Sequence, residues 1–125
     1  EKQQLCYELG LKIGLVFQLH DDCLDYAKTS GKEYAKDLKE GLINFVTLHL
    51  IQLYPELYYP VYQLRGSSQT NYPWSDSQLN EAIDLTKKYI FDIYQDIFAL
   101  IDRLSDSPKK QIFIDYLKTS AQRIY

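Results

Sequence analysis

The chain is short, moderately apolar and slightly acidic. With 125 residues, 46% of them hydrophobic, it has enough sequence for one domain with a real core. Its 14 basic and 17 acidic residues give a net charge of −3, which excludes the basic surface of a nucleic-acid-binding domain. No run of 18 apolar residues occurs, so no membrane span is predicted.

The cysteines indicate the cellular compartment of the chain, and the first residue indicates whether it is a fragment. Cys6 and Cys23 fall in one predicted helix, about 25 Å apart at the helical rise, so they cannot pair with each other. Free thiols are typical of a reducing compartment, and we expect a cytoplasmic protein. Because the chain starts with Glu1 already in a helical pattern, we expect a fragment of a longer protein.

The first predicted element is a long helix over residues 3–29. Its apolar residues recur at steps of three and four, and no proline interrupts the pattern before residue 55. Gly31 suits the position that follows a helix C-terminus. The repeating apolar positions are Leu5, Leu9, Ile13, Val16, Phe17 and Leu24.

Acidic side chains gather on one side of this helix near its end. Asp21 and Asp25 are four residues apart, and Asp22 is three residues before Asp25, so helical geometry brings them together. Like charges at this spacing repel by about 0.2–0.5 kcal/mol per pair. Hard carboxylate oxygens without a Cys or His set suit Mg²⁺ or Mn²⁺. The pattern favours a divalent-cation site, and a solvated acidic helix end is the alternative.

A charged segment from Lys28 to Lys39 follows the acidic helix end. Alone, such a segment indicates a solvated loop. Beside a metal site it is better explained as a lid-like loop, in which Lys32 meets a phosphate bound to the metal and Asp37 lies behind the water shell of the metal. Lys36 and Lys39 are interpreted as surface charges.

The order and spacing of these residues resemble the second aspartate-rich region of the trans-isoprenyl diphosphate synthases, also called polyprenyl synthetases. The resemblance covers roughly the first 50 residues, and no motif of comparable weight follows. The matching residues are Gly10, Gly14, Phe17, Gln18, Asp21, Asp22, Cys23, Leu24, Asp25, Tyr26, Gly31, Lys32, Asp37, Leu38 and Gly41.

The resemblance implies an all-α fold, the C-terminal part of the isoprenoid synthase helical bundle. Within one domain over residues 1–125, residues 10–41 would carry the metal and diphosphate motif, and residues 42–125 the C-terminal helices. The family joins an allylic diphosphate to isopentenyl diphosphate with Mg²⁺ (or Mn²⁺), making polyprenyl diphosphates. Its first aspartate-rich region lies upstream of this motif, so we expect a missing N-terminal half or a partner subunit, and an inactive fragment.

The resemblance also implies a role for each polar residue of the motif. Asp21 would be the principal Mg²⁺ ligand, and the other motif aspartates would be ligands or would act through water. The catalytic residues would be Asp21 and Lys32. The metal-site residues would be Asp21, Asp22, Asp25 and Asp37, and the substrate-binding residues Gln18 and Lys32.

The first downstream helix departs from the family pattern. Leu42 stands where a lysine is common, which removes one possible phosphate contact. Asn44 and Val46 stand where Thr or Ser and then Pro are common, so we expect this helix to start or bend differently. The downstream helices are predicted over residues 41–54, 56–65, 76–105 and 108–123.

The last two predicted helices have clear start signals. Ser75 and Gln78 form a capping box, and Ser107 is an N-cap before a proline. In the longer helix, Asp92 and Asp96 are also four residues apart. They lack the adjacent Asp and the following Arg pair of the family's first motif, so we interpret them as part of a solvated face.

The parent protein is expected to be a homo- or hetero-oligomer. The apolar faces of residues 2–26 and 41–54 lack partner helices in this chain, which predicts self-association. Three alternatives stay open: a non-catalytic subunit of a heteromeric prenyl synthase, a terpene cyclase-type enzyme, and a helical interaction module. Retained aspartates argue against the first, and the downstream Gly-Lys pair against the second. The third predicts no diphosphate-dependent metal binding.

Overall fold

The computed structural model describes residues 2–27 and 33–122. These residues contain no strand, so the all-α prediction is confirmed. A membrane-spanning helix is not found among them either. The helices are α1 (Lys2–Leu24), α2 (Lys36–Lys39), α3 (Phe45–Leu53), α4 (Tyr58–Gln63), α5 (Asp76–Asp102) and α6 (Pro108–Gln122), with a 3₁₀ turn at Pro55–Leu57.

The chain divides into two compact units. Unit A comprises Glu1–His20 and Lys87–Tyr125, and unit B comprises Asp21–Thr86. Unit A contains most of α1, the second part of α5 and all of α6. Unit B contains the acidic end of α1, the three short helices α2 to α4, and the start of α5.

Unit A has an apolar core built from helix faces. On α5 the buried residues step by three or four, as the 3.6-residue period requires. The stripe continues from Ile97 to Ile101, which is four residues further along the helix. Phe17, expected on the apolar face of α1, is 46% exposed, and Leu19 is buried instead. The core side chains are Leu5, Leu9, Val16, Leu19, Ile90, Ile93, Tyr94, Ile97, Ile101 and Leu117.

Helix α1 ends at Leu24, before the predicted end at residue 29. The backbone N–H groups of Tyr26 and Ala27 donate to carbonyls three residues back, which tightens the last turn. The Asp25 carbonyl accepts a hydrogen bond from Ala35 N–H at 2.8 Å. Tyr26 is only 3% exposed, so its tertiary packing fixes the end of the helix. The rest of the predicted end, including Gly31, lies outside the described residues.

Helix α3 begins at Phe45, not at Gly41 as predicted. Gly41 has a φ of +87°, a left-handed conformation that glycine adopts without strain and that no α-helix contains. Asn44 is extended, and its Oδ1 accepts a hydrogen bond from Thr47 N–H at 3.1 Å. Asn44 is therefore the N-cap of α3, which satisfies a backbone donor at the helix start.

The remaining predicted helices are close to those observed. The predicted helix over residues 56–65 is divided into the 3₁₀ turn and α4. The capping box before α5 is confirmed, since Gln78 N–H donates to Ser75 Oγ at 3.1 Å and Ser75 N–H donates to Gln78 Oε1 at 2.9 Å. Ser107 Oγ accepts from Lys110 N–H at 3.1 Å, so the N-cap of α6 is confirmed as well. Helix α5 ends at Asp102, three residues early, where the hydrogen bonds change to the tighter three-residue spacing.

Large apolar side chains are exposed on α1 and around α3. Tyr7 is 63% exposed and Leu11 is 58% exposed on α1. Leu42, before α3, is 56% exposed, and Leu48 within it is 42% exposed. These exposures agree with the expectation that both segments lack partner helices, and self-association stays a prediction.

A histidine links α3 to the start of α5 inside unit B. The Thr86 hydroxyl donates to the Ala82 carbonyl at 2.9 Å, so it must accept a hydrogen bond from His49 Nδ1–H at 2.7 Å. Desolvation by burial lowers the pKa of His49 below its ordinary value of 6.5.

The lowered pKa of His49 predicts a loss of stability in mild acid. The unfolded chain binds this proton more readily than the folded chain. The contribution of neutral His49 to the free energy of unfolding is therefore complete above pH 6.5. It is lost as the pH falls from 6.5 towards the pKa of His49 in the folded chain. In urea unfolding between pH 7.5 and 5.5, the free energy of unfolding should fall more steeply with decreasing pH for the unsubstituted chain than for His49→Asn. Equal slopes for both proteins would contradict the prediction.

Candidate metal and diphosphate site

An acidic pocket lies between the end of α1 and α2 in unit B. Its volume is about 300 Å³. Five carboxylates and one ammonium group line it among the described residues, so the local charge favours a cation. The lining residues are Asp21, Asp25, Glu33, Lys36, Asp37 and Glu40, which we call the acidic pocket.

The two adjacent aspartates of the motif have different surroundings. Asp21 is exposed in the last turn of α1 and lines the acidic pocket. Asp22 is 2% exposed, and its Oδ2 accepts a hydrogen bond from Phe45 N–H at 3.0 Å. Phe45 is the first residue of α3, so Asp22 places a carboxylate at a helix N-terminus, where the dipole favours negative charge. The carboxylate of Asp22 thus joins α1 to α3.

Asp25 and Asp37 are held next to each other. Asp25 is 5% exposed, and both of its carboxylate oxygens accept from Asp37 N–H, at 3.3 and 3.4 Å. Ala35, two residues earlier, has a φ of +54°, a left-handed conformation that is unusual for a residue with a side chain. The turn at Ala35 brings the start of α2 back to Asp25, because Ala35 N–H donates to the Asp25 carbonyl.

Asn44 connects these two carboxylates. Its Nδ2 donates to Asp37 Oδ2 at 3.0 Å and, more weakly, to Asp25 Oδ2 at 3.5 Å. Its Oδ1 accepts from both the backbone N–H and the hydroxyl of Thr47, each at 3.1 Å. Asn44 is not among the site residues expected from the sequence. An Asn before an apolar run is an N-cap signal, but the contact with the carboxylates has no sequence signal.

The hydrogen bonds continue from Asn44 to a buried tyrosine. The Thr47 hydroxyl proton goes to Asn44, so the Tyr26 hydroxyl must donate to Thr47 Oγ1, at 2.6 Å. Burial raises the pKa of Tyr26 above its usual range, although the hydrogen bond to Thr47 opposes this rise. The phenol therefore keeps its proton at neutral pH and remains a donor.

An aromatic cluster packs around Tyr26. The rings of Tyr34 and Trp74 meet the Tyr26 ring edge to face, with centroids at 5.7 and 5.8 Å. Tyr72 stacks on Trp74 at 4.9 Å, and Trp74 Nε1–H donates to the Tyr34 hydroxyl at 3.3 Å. Such aromatic pairs add about 0.5–1.5 kcal/mol each beyond the area they bury. The aromatic cluster therefore gives the inner side of the site a rigid support.

The other residues assigned to the site from the sequence either do not line the acidic pocket or lie outside the described residues. Gln18 is exposed on α1 in unit A and does not line the acidic pocket. Lys32 falls outside the described residues. Lys36, assigned to the surface, lines the pocket, and its Nζ lies 3.8 Å from Glu40. Among residues 2–27 and 33–122, no three His, Cys, Asp or Glu side chains are arranged to hold one metal ion.

Comparison with known proteins identifies a family for the first part of the chain. The polyprenyl synthetase family model matches residues 1–72, which include all the lining residues of the acidic pocket and Asn44. No solved structure matches the chain.

The curated relatives of the chain are named as prenyl transferase, solanesyl-diphosphate synthase or polyprenyl-diphosphate synthase. Over 57 residues the chain is 40% identical to mitochondrial solanesyl-diphosphate synthase 1 of Oryza sativa subsp. japonica, covering 43% of this chain and 13% of that protein. Over 57 residues it is 39% identical to an all trans-polyprenyl-diphosphate synthase of Homo sapiens, covering 43% of this chain and 14% of that protein. Over 124 residues it is 27% identical to a prenyl transferase of Cyanophora paradoxa, covering 95% of this chain. The chain spans only 38% of the length of that last relative.

Proposed function

Because this chain belongs to the polyprenyl synthetase family, we propose that it is the C-terminal part of a prenyltransferase that binds Mg²⁺ and a diphosphate at the acidic pocket. The proposed reaction joins an allylic diphosphate to isopentenyl diphosphate and yields polyprenyl diphosphates. One observation carries the proposal: Asp21, Asp25 and Asp37, three carboxylates of the family-like motif, line the same pocket.

The lining of the pocket suits a hard divalent cation. Carboxylate oxygens are the ligands that Mg²⁺ and Mn²⁺ prefer, and Mg²⁺ usually binds through one or two carboxylates together with substrate phosphates. When bound, the metal supplies positive charge that stabilises a departing diphosphate. Asp21, exposed at the pocket, is the proposed principal ligand. Asp25 and Asp37 line the same pocket, and they are proposed to support the metal directly or through water.

The cationic side chains near the pocket are proposed to hold the diphosphate. Lys36 lines the pocket and is suited to this role. Lys32 belongs to the same segment and keeps the role that the motif predicts, and Gln18 keeps its predicted role beside the substrate. Asp22 is proposed to act by fixing the end of α1 to α3, because it is buried and hydrogen-bonded to Phe45 N–H.

Catalysis is proposed to need more chain than these 125 residues. The relatives are much longer, and the chain covers 13% to 38% of their length. We propose that an N-terminal half, or a partner subunit in a homo- or hetero-oligomer, supplies the other metal-binding face and covers the exposed apolar residues of α1 and α3. The chain alone should then be catalytically inactive. Cys6 and Cys23 are thiols, which are typical of a reducing compartment, so a cytoplasmic location is proposed.

Calorimetric titration tests the proposed site. Titrating Mg²⁺ into the chain should give saturable binding when inorganic diphosphate is present, and little binding without it. Lys32→Ala should weaken the diphosphate-dependent binding by about 10- to 150-fold, since a charge-assisted contact contributes about 1.5–3 kcal/mol and each 1.4 kcal/mol is a factor of about ten. Lys88→Ala, which removes an exposed lysine of α5 in unit A, is the matched control.

The titration separates the enzyme proposal from the interaction-module alternative. Binding that is equally weak with and without diphosphate, and unchanged in Lys32→Ala, would show that the acidic pocket is an ordinary acidic surface. In that case the prenyltransferase role would have to be abandoned for this chain.

A further inference from the structure

We propose that Asn44 is a positioning residue that holds Asp25 and Asp37 together and so keeps the acidic pocket formed before any metal binds. This inference rests on the proposed function, because positioning has meaning only if the pocket binds a metal. Asn44 does not line the pocket and is not proposed to touch the metal or the substrate.

The orientation of the Asn44 amide is fixed by its surroundings. Both donors of Thr47, its backbone N–H and its hydroxyl, point at Asn44 Oδ1 at 3.1 Å. A flipped amide would place its NH₂ group against these donors, so the flip is excluded. The NH₂ group must therefore face the carboxylates of Asp25 and Asp37.

The NH₂ group counteracts a repulsion between like charges. Asp25 and Asp37 are held close because Asp37 N–H donates to the Asp25 carboxylate. One amide nitrogen carries two hydrogens, so Asn44 can donate one hydrogen bond to each carboxylate at the same time. Hydrogen bonds to charged acceptors are about twice as strong as neutral ones. Asn44 thus adds an attractive contact to each of the two neighbouring carboxylates before any metal binds.

The side chain of Asn44 is itself immobilised. It is 8% exposed, and as the N-cap of α3 it is tied to the helix start. Thr47, which anchors its oxygen, accepts a hydrogen bond from Tyr26 of the aromatic cluster. Successive hydrogen bonds from Tyr26 through Thr47 to Asn44 run in one direction, an arrangement in which each bond strengthens the next. The rigid interior of unit B therefore extends to the carboxylates of the pocket.

The expected consequence is a change in metal affinity. Groups that orient metal ligands typically alter metal affinity by about 10–100-fold when they are removed. Asn44→Ser keeps a side-chain oxygen for the cap of α3 but has no NH₂ group. We expect Asn44→Ser to weaken Mg²⁺ binding in the presence of inorganic diphosphate by about tenfold.

Calorimetry of this variant is the first part of the test. The titration is made at a temperature at which circular dichroism shows each protein to be folded. Asn80→Ser, at an exposed position of α5 in unit B, is the matched control and should bind like the unsubstituted chain. A purely structural role of Asn44 would lower the unfolding temperature but leave the affinity of the folded variant unchanged.

The second part of the test uses the unsubstituted chain, so it does not depend on the folding of a variant. The NMR signals of the Asn44 NH₂ group should shift during the titration and saturate with the calorimetric affinity, because its acceptors change partners. The signals of Asn80 should stay in place.

The outcomes separate the positioning role from the proposed function. Binding by the unsubstituted chain together with unchanged affinity in Asn44→Ser, or with unmoved Asn44 signals, would overturn the positioning role and leave the site intact. No diphosphate-dependent binding by the unsubstituted chain would overturn the proposed function, and the positioning role with it.

Discussion

Replacing Tyr26 with alanine is expected to destabilise unit B by about 3–5 kcal/mol, the range for deleting a large buried aromatic side chain. Tyr26 is 3% exposed, packs against Tyr34 and Trp74, and donates to Thr47 Oγ1 at 2.6 Å. Domains of this kind are stable by about 5–15 kcal/mol in total, so the loss is a large part of the whole. Urea unfolding followed by tyrosine and tryptophan fluorescence measures it, and Trp74 reports directly on the aromatic cluster.

Two further substitutions separate the ring of Tyr26 from its hydroxyl. Tyr26→Phe should cost about 1 kcal/mol, since it removes one hydrogen bond and keeps the packing. Tyr59→Ala is the matched control, because Tyr59 is 66% exposed and exposed substitutions usually change stability by less than about 0.5 kcal/mol. Equal losses in Tyr26→Ala and Tyr59→Ala would contradict the burial of Tyr26.

The overall helical fold could be predicted from local patterns in the sequence. The start of α5 follows from the Ser75 and Gln78 capping box, and the start of α6 from Ser107. These signals are local, because a cap and the helix it starts are neighbours in sequence. The buried residues of α5 recur at steps of three and four, the spacing that helical periodicity alone requires.

The errors fall where distant contacts determine the backbone. The end of α1 depends on the burial of Tyr26 among residues from the rest of unit B, which no local pattern reports. The start of α3 depends on the left-handed Gly41 and on Asn44, whose amide serves the cap and the carboxylates together. A single side chain with two such partners cannot be recognised from spacing.

The aspartates of the motif were predicted as a group, but their environments divide them. Helical spacing predicted that Asp21 and Asp25 lie close together, and both line the acidic pocket. It did not indicate that Asp22 is buried, because its partner, Phe45 N–H, lies 23 residues away in sequence. One face of a helix end therefore contains an exposed carboxylate suited to a ligand and a buried carboxylate suited to holding two helices together.

This division predicts opposite effects for two adjacent substitutions. Asp21→Ala should lower the diphosphate-dependent Mg²⁺ affinity by about 100-fold or more, because a direct ligand should matter at least as much as the groups that orient ligands. Its stability should change by less than about 0.5 kcal/mol, since Asp21 is exposed. Asp92→Ala, another exposed aspartate on a helix, is the matched control and should change neither quantity.

Asp22→Ala should instead act mainly on stability. It leaves the backbone N–H of Phe45 without its carboxylate acceptor, at a cost of about 1–3 kcal/mol, and it removes a favourable charge from the N-terminus of α3. Where the variant remains folded, its Mg²⁺ affinity should fall far less than that of Asp21→Ala. Calorimetric titration and urea unfolding of the two variants side by side give both quantities. If Asp22→Ala lost affinity as strongly as Asp21→Ala while keeping full stability, Asp22 would be a ligand, and its burial against α3 would have to be relieved when the metal binds.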